Sequence, residues 1–216
     1  MSMPPSAMRA IVAREPGDAD VLMFATRPVP TPGPGEVLLR VRAAGVNRPD
    51  IMQRQGLARP AEGVTDVLGL EVCGEVAACG AGVPEALRGR RLMSLLPGGG
   101  YAPWCVARLD HSLPVPDAVD DDAAAALPEG LFTLWHNLFE LGRLRMGETV
   151  LIHGAAGGIG TLAIRMAHAA GGPGHRHCGP RRAPGRPARD GGGRGGVLSR
   201  YGLRGHLSRP DPGAWR

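Results

Sequence analysis

Lysine is absent from this 216-residue chain, whose 25 basic residues are all arginine. Because arginine codons are richer in GC than lysine codons, this absence indicates a coding bias more than a chemistry. Long apolar runs are also absent, since no stretch approaches the roughly 18 consecutive apolar residues that a membrane span needs. The first ten residues lack the basic region and apolar stretch of a secretory signal. We therefore expect a cytoplasmic protein without a membrane partner.

Paired cysteine motifs are absent as well. The four cysteines are widely spaced and form no C-x-x-C pair; they are Cys73, Cys79, Cys105 and Cys178. Neither a disulfide framework nor a zinc knuckle is therefore indicated. Buried, reduced thiols are the favoured interpretation.

The formal net charge of +5 is unevenly distributed along the chain. Residues 1–170 contain 15 arginines against 18 acidic residues, whereas residues 171–216 contain 10 arginines against 2 aspartates. All of the basic excess therefore lies in the C-terminal 46 residues. A nucleic-acid partner is not favoured for the rest of the chain, because the charge needed to attract phosphates is missing there.

Five short segments rich in Val, Ile and Leu, separated by Gly and Pro clusters, predict β-strands. They are residues 8–13, 36–43, 71–78, 91–95 and 101–107. A sixth segment, residues 47–55, predicts one or two helical turns instead. We therefore expect an all-β unit that contains one short helix and ends at about Pro116.

The pattern changes to helical after this unit. Three aspartates at residues 120–122 precede an alanine run that ends at Leu127, and acidic residues favour the positive end of a helix. Pro128 interrupts the run, and residues 129–141 then predict a second helix. A small β-unit followed by helices and a strand, turn and helix suggests two domains.

A glycine turn lies between an apolar strand and a helical segment. Residues 149–153 are typical of a parallel strand buried on both faces. Gly154, Gly157 and Gly160 follow at a G-x-x-G-x-x-G spacing, and residues 161–170 continue as a helix. Glycines let the backbone approach a pyrophosphate, and the N–H groups at the helix start can donate to its oxygens. Because the strand and helix supply the required context, the motif predicts dinucleotide binding.

Several separated motifs carry a family resemblance. They are residues 47–56 (NRPDIMQRQG), 68–71 (LGLE), 96–100 (LPGGG), 128–133 (PEGLFT) and 153–160 (HGAAGGIG). In this order they resemble the medium-chain dehydrogenases and reductases, specifically the zinc-free quinone oxidoreductases related to zeta-crystallin. The resemblance extends from Met8 to about Ala170.

The resemblance implies an α/β plus β fold in three parts. A GroES-like β-domain on the substrate side would cover residues 1–118, and connecting helices with the first βα unit of a Rossmann domain would cover 119–170. Residues 171–216 would be a disordered tail rich in Arg, Gly and Pro. The implied activity is reduction of quinones or other conjugated carbonyls by hydride from NADPH, with NADH left open, and an intact relative would form a homodimer.

The resemblance also implies site residues. Zinc-dependent relatives carry metal-binding Cys and His at the positions of Asn47 and Leu70, so no zinc is expected here. Asn47 and Asp50 would line the cleft beside the nicotinamide as catalytic residues. The residues expected to contact the cofactor are Thr133, Gly154, Ala155, Ala156, Gly157, Gly158, Ile159 and Gly160.

Purely structural roles stand beside these assignments. Asn47 can equally cap the short helix that follows it. Asp50 and Arg54 are spaced i, i+4 and would suit a surface ion pair. His153 ends the apolar strand, where a hydrogen-bonded core histidine is favoured over a proton donor.

The tail allows two interpretations. A genuine Arg/Gly tail would bind RNA or acidic partners through charge and stacking in a non-catalytic protein. Alternatively, the tail is translated out of frame after about Gly171. In the shifted frame the codons of residues 174–179 permit Val-Ile-Ala-Thr-Ala-Gly, which predicts a strand where the fold requires one. This second hypothesis is favoured, would make the chain truncated and impaired as an enzyme, and is tested by the nucleotide sequence around codon 171.

Overall fold

The computed structural model describes residues 4–171 and the backbone of residues 176–178. It divides the chain into two compact units, Met1–Phe132 (unit 1) and Thr133–Arg216 (unit 2). The sequence predicted a first boundary near residue 118, which is 14 residues earlier. The three-part division predicted for the chain therefore stays a prediction, and each unit has its own core.

Unit 1 contains two antiparallel sheets. In the smaller sheet, β1 (Ala7–Ala13) pairs with β2 (Leu22–Pro28). The larger sheet has five strands, which are β3 (Glu36–Ala44), β4 (Glu71–Cys79), β5 (Arg91–Leu95), β6 (Trp104–Arg108) and β7 (Ser112–Pro114). Their spatial order is β6-β3-β4-β5-β7, so β4 is the central strand.

The central strand packs on both of its faces, because successive side chains of a strand point in opposite directions. Val72 and Val76 belong to a cluster with Val37 and Leu39 of β3, and all four are fully buried. Cys73, on the opposite face of β4, belongs to a second cluster. The larger sheet is therefore covered on both sides within unit 1.

The helices of the described residues are short except for the last. They are α1 (Arg48–Arg54), α2 (Asp121–Ala125), α3 (Pro128–Leu134), which continues into a π-helical segment (Trp135–Leu141), and α4 (Gly158–Ala169). The Asp120 side chain accepts a hydrogen bond of 2.7 Å from the Ala123 N–H group and caps α2. Ala124 and Ala125 of α2 are buried in the cluster that contains Cys73. This packing explains why unit 1 extends beyond residue 118.

The five predicted strands and the predicted helices are present, with ends that shift by up to three residues. Two strands, β2 and β7, were not predicted. In β2 the residues Leu22, Met23 and Phe24 are all exposed, so no alternating apolar pattern marks the strand. β7 has only three residues and ends in proline. Both strands are defined by pairing with a neighbour, which the local sequence does not reveal.

Unit 2 begins a parallel sheet. β8 (Leu151–His153) pairs in parallel with β9 (Arg176–Cys178), and Leu134, Ile152 and Ala163 form the buried cluster beneath α4. β9 was not predicted from the sequence as it stands. The hypothesis of an out-of-frame, disordered or RNA-binding tail otherwise lies outside the described residues.

The prediction that β8 is buried on both faces is also wrong. Ile152 is buried, but Leu151 is 40% exposed and His153 is exposed. His153 is therefore not a core histidine. A strand of this kind is buried on both faces only when helices cover the two sides of its sheet. In the described part of unit 2, α4 and the π-helical segment Trp135–Leu141 both pack in the cluster of Ile152.

The cysteines of the described residues are free thiols. Cys73 and Cys105 are fully buried, as predicted, whereas Cys79 is half-buried. Burial raises the pKa of both the Cys73 and the Cys105 thiols to about 12, so neither is a thiolate at neutral pH. Cys178 lies where only the backbone is described.

Among the helices of residues 4–171, none has both the length and the apolar character that crossing a membrane requires.

Candidate functional site

Asn47 occupies the N-cap position of α1 and is held at two points. Its backbone N–H group donates to Oδ2 of Asp50 at 2.7 Å, which is one half of a capping box. Its side-chain Nδ2 donates to Oε1 of Glu71 at 2.8 Å. Asn47 therefore does occupy the N-cap position, as the structural alternative held, and its side chain also contacts Glu71.

Asp50 is buried, with only 3% of its surface exposed. Arg54 does not pair with it, because the Arg54 Nε group donates to the carbonyl oxygen of Gly17 at 3.1 Å. The predicted surface ion pair is therefore wrong. Oδ1 of Asp50 has no hydrogen-bond partner among the described residues. Tyr101 is the side chain placed to serve it, because burial, the charge of Asp50 and a hydrogen bond with Asp50 are the leading causes that raise the pKa of Tyr101.

Tyr101 lies beside this carboxylate. Its hydroxyl donates to the carbonyl oxygen of Gly45 at 3.2 Å. Burial, followed by the negative charge of Asp50, raises the pKa of Tyr101 above its ordinary value. The phenol therefore stays protonated at neutral pH and acts as a hydrogen-bond donor in this region.

Glu71 is a site residue that the sequence analysis did not single out. It is the first residue of β4 and only 3% exposed. Its Oε1 accepts from Asn47, and its Oε2 accepts from the backbone N–H group of Glu129 at 2.9 Å, in the first turn of α3. A carboxylate is stabilised at the positive end of a helix. The available signal was an acidic residue at the start of a mostly apolar strand, within the LGLE motif.

Gly45 makes room for this carboxylate. A Cβ atom at residue 45 would lie 2.0 Å from Oε1 of Glu71, so no larger residue fits without displacing it. The negative charge also affects Glu129. Burial is the largest cause that raises the pKa of the Glu129 carboxyl group, and the charges of Glu71 and then Asp50 follow. The site in unit 1 is therefore an acidic, largely buried network around the half-exposed Asn47.

The glycine turn in unit 2 has the geometry of a phosphate cradle. Gly154 has φ +69°, the left-handed conformation that glycine adopts without strain, and its carbonyl oxygen accepts from the Gly157 N–H group at 3.0 Å. A Cβ atom on Gly160 would lie 2.4 Å from that carbonyl oxygen, whereas one on Gly158 would meet nothing within 4 Å. Close packing behind the turn and open space at the start of α4 both suit a bound pyrophosphate.

The other predicted cofactor residues lie around this turn or at the start of unit 2. Ala155 is buried, and Ile159 is 44% exposed at the open end of α4. Thr133 is exposed, and its carbonyl oxygen accepts from Nδ2 of Asn137 at 2.7 Å. The structure therefore brings Asn47 and Asp50 together with Glu71 in unit 1, and the residues of 154–160 together in unit 2.

Comparison with known proteins identifies the domain in unit 1. Residues 33–117 match the alcohol dehydrogenase GroES-like domain. Over 161 residues the chain is 38% identical to a synaptic vesicle membrane protein VAT-1 homolog of Rattus norvegicus, which covers 74% of this chain and 40% of that protein. Over 160 residues it is 39% identical to a mycocerosic acid synthase-like polyketide synthase of Mycobacterium tuberculosis, covering 73% of this chain and 8% of the synthase.

Solved structures extend the similarity into unit 2. A quinone oxidoreductase of Pseudomonas syringae superimposes with a TM-score of 0.69 at 32% identity, over 82% of this chain and 54% of that one. A mycobacterial protein solved in complex with NADPH superimposes with a TM-score of 0.65 at 35% identity, over 80% of this chain and 51% of that one. The chain therefore spans about half the length of these two solved structures.

Proposed function

We propose that this chain, which belongs to the quinone oxidoreductase-like proteins of the medium-chain dehydrogenase/reductase family, reduces quinones or other conjugated carbonyls with NADPH. Its fold supports this activity, since a GroES-like β-domain is followed by the start of a Rossmann fold. The proposal extends the acceptor named for one similar protein, a quinone oxidoreductase, to this chain.

The observation that carries the proposal is the glycine turn. This turn combines Gly154 with positive φ, an open helix start at Gly158 and a close-packed Gly160, as dinucleotide binding requires. When bound, NADPH supplies a hydride to an electron-poor acceptor. The contribution of this chain is to hold the pyrophosphate on the N–H groups at the start of α4 and to orient the reactants.

The acidic network of unit 1 favours a neutral acceptor. Asp50 and Glu71 carry negative charge that raises the pKa of the neighbouring Glu129 carboxyl group after the effect of burial itself. The same potential disfavours an anionic substrate near Asn47 and tolerates an uncharged quinone. We assign Asn47 to the cleft, where its half-exposed amide would contact the reactants, and we place Asp50 directly behind it.

The experiment measures cofactor binding first and turnover second. The 216-residue chain is titrated with NADPH and, separately, with NADH, following nicotinamide fluorescence. NADPH oxidation is then followed at 340 nm with a benzoquinone and with a conjugated enone. We expect saturable NADPH binding but weak quinone-dependent oxidation, because the favoured out-of-frame hypothesis makes this chain an impaired enzyme.

The matched variants are Gly160→Ala and Arg165→Gln, both on α4. The first places a Cβ atom against the Gly154 carbonyl oxygen and should weaken NADPH binding at least about tenfold, because the turn must deform. The second removes an exposed arginine of the same helix and should leave binding unchanged. Equal binding by the wild type and Gly160→Ala would contradict the assignment of the turn, and a wild type that does not bind would contradict the proposed function.

A further inference from the structure

We propose that Glu71 is a positioning residue that fixes the orientation of the Asn47 side-chain amide. This inference rests on the proposed function, because that function supplies the contact between Asn47 and the reactants. In its fixed orientation the amide presents Nδ2 to the buried carboxylate and leaves Oδ1 as a hydrogen-bond acceptor on its other side.

The chemistry of the two groups determines the orientation. An asparagine amide has a donor end, Nδ2, and an acceptor end, Oδ1. A carboxylate, in contrast, only accepts hydrogen bonds. Because Oε1 of Glu71 lies 2.8 Å from the amide, the end that faces it must be Nδ2. A flipped amide would place two oxygen acceptors in contact within a buried region, which is costly.

Glu71 is itself held in one place. Its second oxygen, Oε2, accepts from the N–H group of Glu129 at 2.9 Å, so both oxygens face donors. Burial of Glu71 and the space left by Gly45 keep the carboxylate between β4, α1 and α3.

The backbone of Asn47 is fixed independently by Asp50. The 2.7 Å bond from the Asn47 N–H group to Oδ2 of Asp50 sets the position of the residue at the start of α1, whereas Glu71 sets the direction of its amide. Two buried carboxylates thus determine the pose of one half-exposed side chain. Oδ1 faces the backbone N–H group of Asp50 in the capping box, and its second lone pair can accept from an N–H or O–H group of NADPH, because a quinone carbonyl has no hydrogen to donate.

The first test observes the amide directly and does not depend on activity. The chain contains two asparagines, Asn47 and Asn137, and two glutamines, Gln53 and Gln55, so substituting Asn137 and each glutamine in turn assigns the remaining side-chain amide pair in a ¹⁵N spectrum to Asn47. We expect one Nδ2 proton of Asn47 to be shifted downfield and to exchange with water at least about tenfold more slowly than the other. Two Asn47 protons that exchange equally fast in the wild type would overturn the proposal.

Glu71→Gln tests the cause of the orientation. If the introduced amide keeps its oxygen on the Glu129 N–H group, its nitrogen faces Asn47, which must flip. We expect the slowly exchanging Nδ2 proton to be lost and kcat with quinone to fall about tenfold. Glu75→Gln is the matched control on the same strand, because Glu75 pairs with Arg40 and Arg42 outside the network; it should leave both readouts unchanged.

A paired substitution distinguishes orientation from general damage. Asn47→Asp alone places two carboxylates against each other and should be the most impaired variant. Asn47→Asp combined with Glu71→Gln restores a donor opposite an acceptor and again presents an oxygen to the ligand. We expect the double variant to recover at least about tenfold in kcat over Asn47→Asp, with unchanged circular dichroism.

The outcomes separate this inference from the proposed function. A double variant no more active than Asn47→Asp, or Asn47 amide signals unchanged in Glu71→Gln, would overturn the positioning role. A wild type that neither binds NADPH nor reduces quinones would contradict the proposed function alone, since the exchange of the Asn47 amide protons is measured on the free protein. If Glu71→Gln does not fold, the wild-type exchange measurement still decides the orientation.

Discussion

The strands of unit 1 and the strand of unit 2 differ in how completely they are buried. Leu39 of β3, in the larger sheet of unit 1, has no exposed surface, whereas Leu151 of β8 is 40% exposed. Both residues are leucines in apolar segments of similar appearance. The burial of a strand therefore depends on what surrounds it and not on its own hydrophobicity.

The number of neighbouring elements explains the difference. β3 lies between β4 and β6, and both faces of the central strand β4 are covered within unit 1. β8 pairs with β9 alone among the described strands, over three residues. Unit 1 contains both strands that flank β3, although β6 begins 60 residues after β3 ends. A Rossmann strand needs parallel neighbours and helices on both faces of its sheet.

The sharpest way to break this comparison is to make the same substitution in both units. Leu39→Ala removes a fully buried side chain from a closed cluster and should lower the free energy of unfolding by about 2–5 kcal/mol. Leu151→Ala should cost less than about 1 kcal/mol, because much of that side chain already contacts water. Urea denaturation followed by circular dichroism, with local amide exchange by mass spectrometry, measures both.

Equal costs for the two leucines would contradict the comparison. Such a result would mean that β8 is covered in solution by residues beyond those described, and amide exchange in residues 151–153 would then be as slow as in β3. Leu22→Ala, at an exposed leucine of β2, is the control for the loss of a leucine at an exposed position of a paired strand.

A smaller effect on stability is expected at Glu129 of unit 1, whose carboxyl group lies near the negative charges of Glu71 and Asp50. Burial, Glu71 and Asp50 raise the pKa of the Glu129 carboxyl group above 4.5 in the folded protein. The folded state therefore binds more protons than the unfolded state, and its stability falls as the pH rises above 4.5. Glu129→Gln should raise Tm at pH 7, with the difference disappearing below about pH 4.5.

Calorimetry or thermal circular dichroism at several pH values measures this difference. Glu148→Gln, at an exposed glutamate of unit 2, is the control for removing one acidic charge. A Tm that falls at pH 7 in Glu129→Gln would show that the Glu129 carboxylate is stabilised, contrary to the direction of its pKa shift.

The smallest effects are expected at pairs of polar side chains on the surface, which should be alike in the two units. Glu75 accepts from Arg40 at 2.8 Å in unit 1, and Glu140 lies 2.7 Å from Nδ1 of His136 in unit 2. Glu75→Gln and Glu140→Gln should each change the free energy of unfolding by at most about 1 kcal/mol, because water and salt screen such pairs. Denaturation in low and high salt measures both changes, and a large loss in one unit alone would assign the contrast to charge instead of burial.

Much of the fold followed from local patterns, and the exceptions depend on contacts outside those patterns. The strands β3, β4 and β5 alternate or continue apolar residues between Gly and Pro turns, and they were predicted nearly to their ends. β2 was missed although residues 21–25 form an apolar run, and β7 was missed because it has only three residues. The exposure of His153 was missed because a pattern of burial was present without the neighbours that produce it.

The candidate site shows the same division. The glycine spacing at residues 154–160 is local, because one turn supplies both the left-handed conformation and the open helix start. The network around Asn47 joins residues that are 24 and 58 positions apart through Glu71. A single acidic residue at the head of β4 does not reveal which donors it will meet.

The amino-acid sequence alone determined the β-rich character of the first unit, the position of the glycine turn and the separation of a basic tail. These features depend on neighbouring residues, whose backbone preferences and side-chain alternation act over a few positions. Only the tertiary structure decided that Glu71 faces Asn47, that Arg54 does not pair with Asp50 and that one face of β8 is exposed. Those outcomes depend on which distant segments meet, because hydrogen bonds and burial are set by contacts in space.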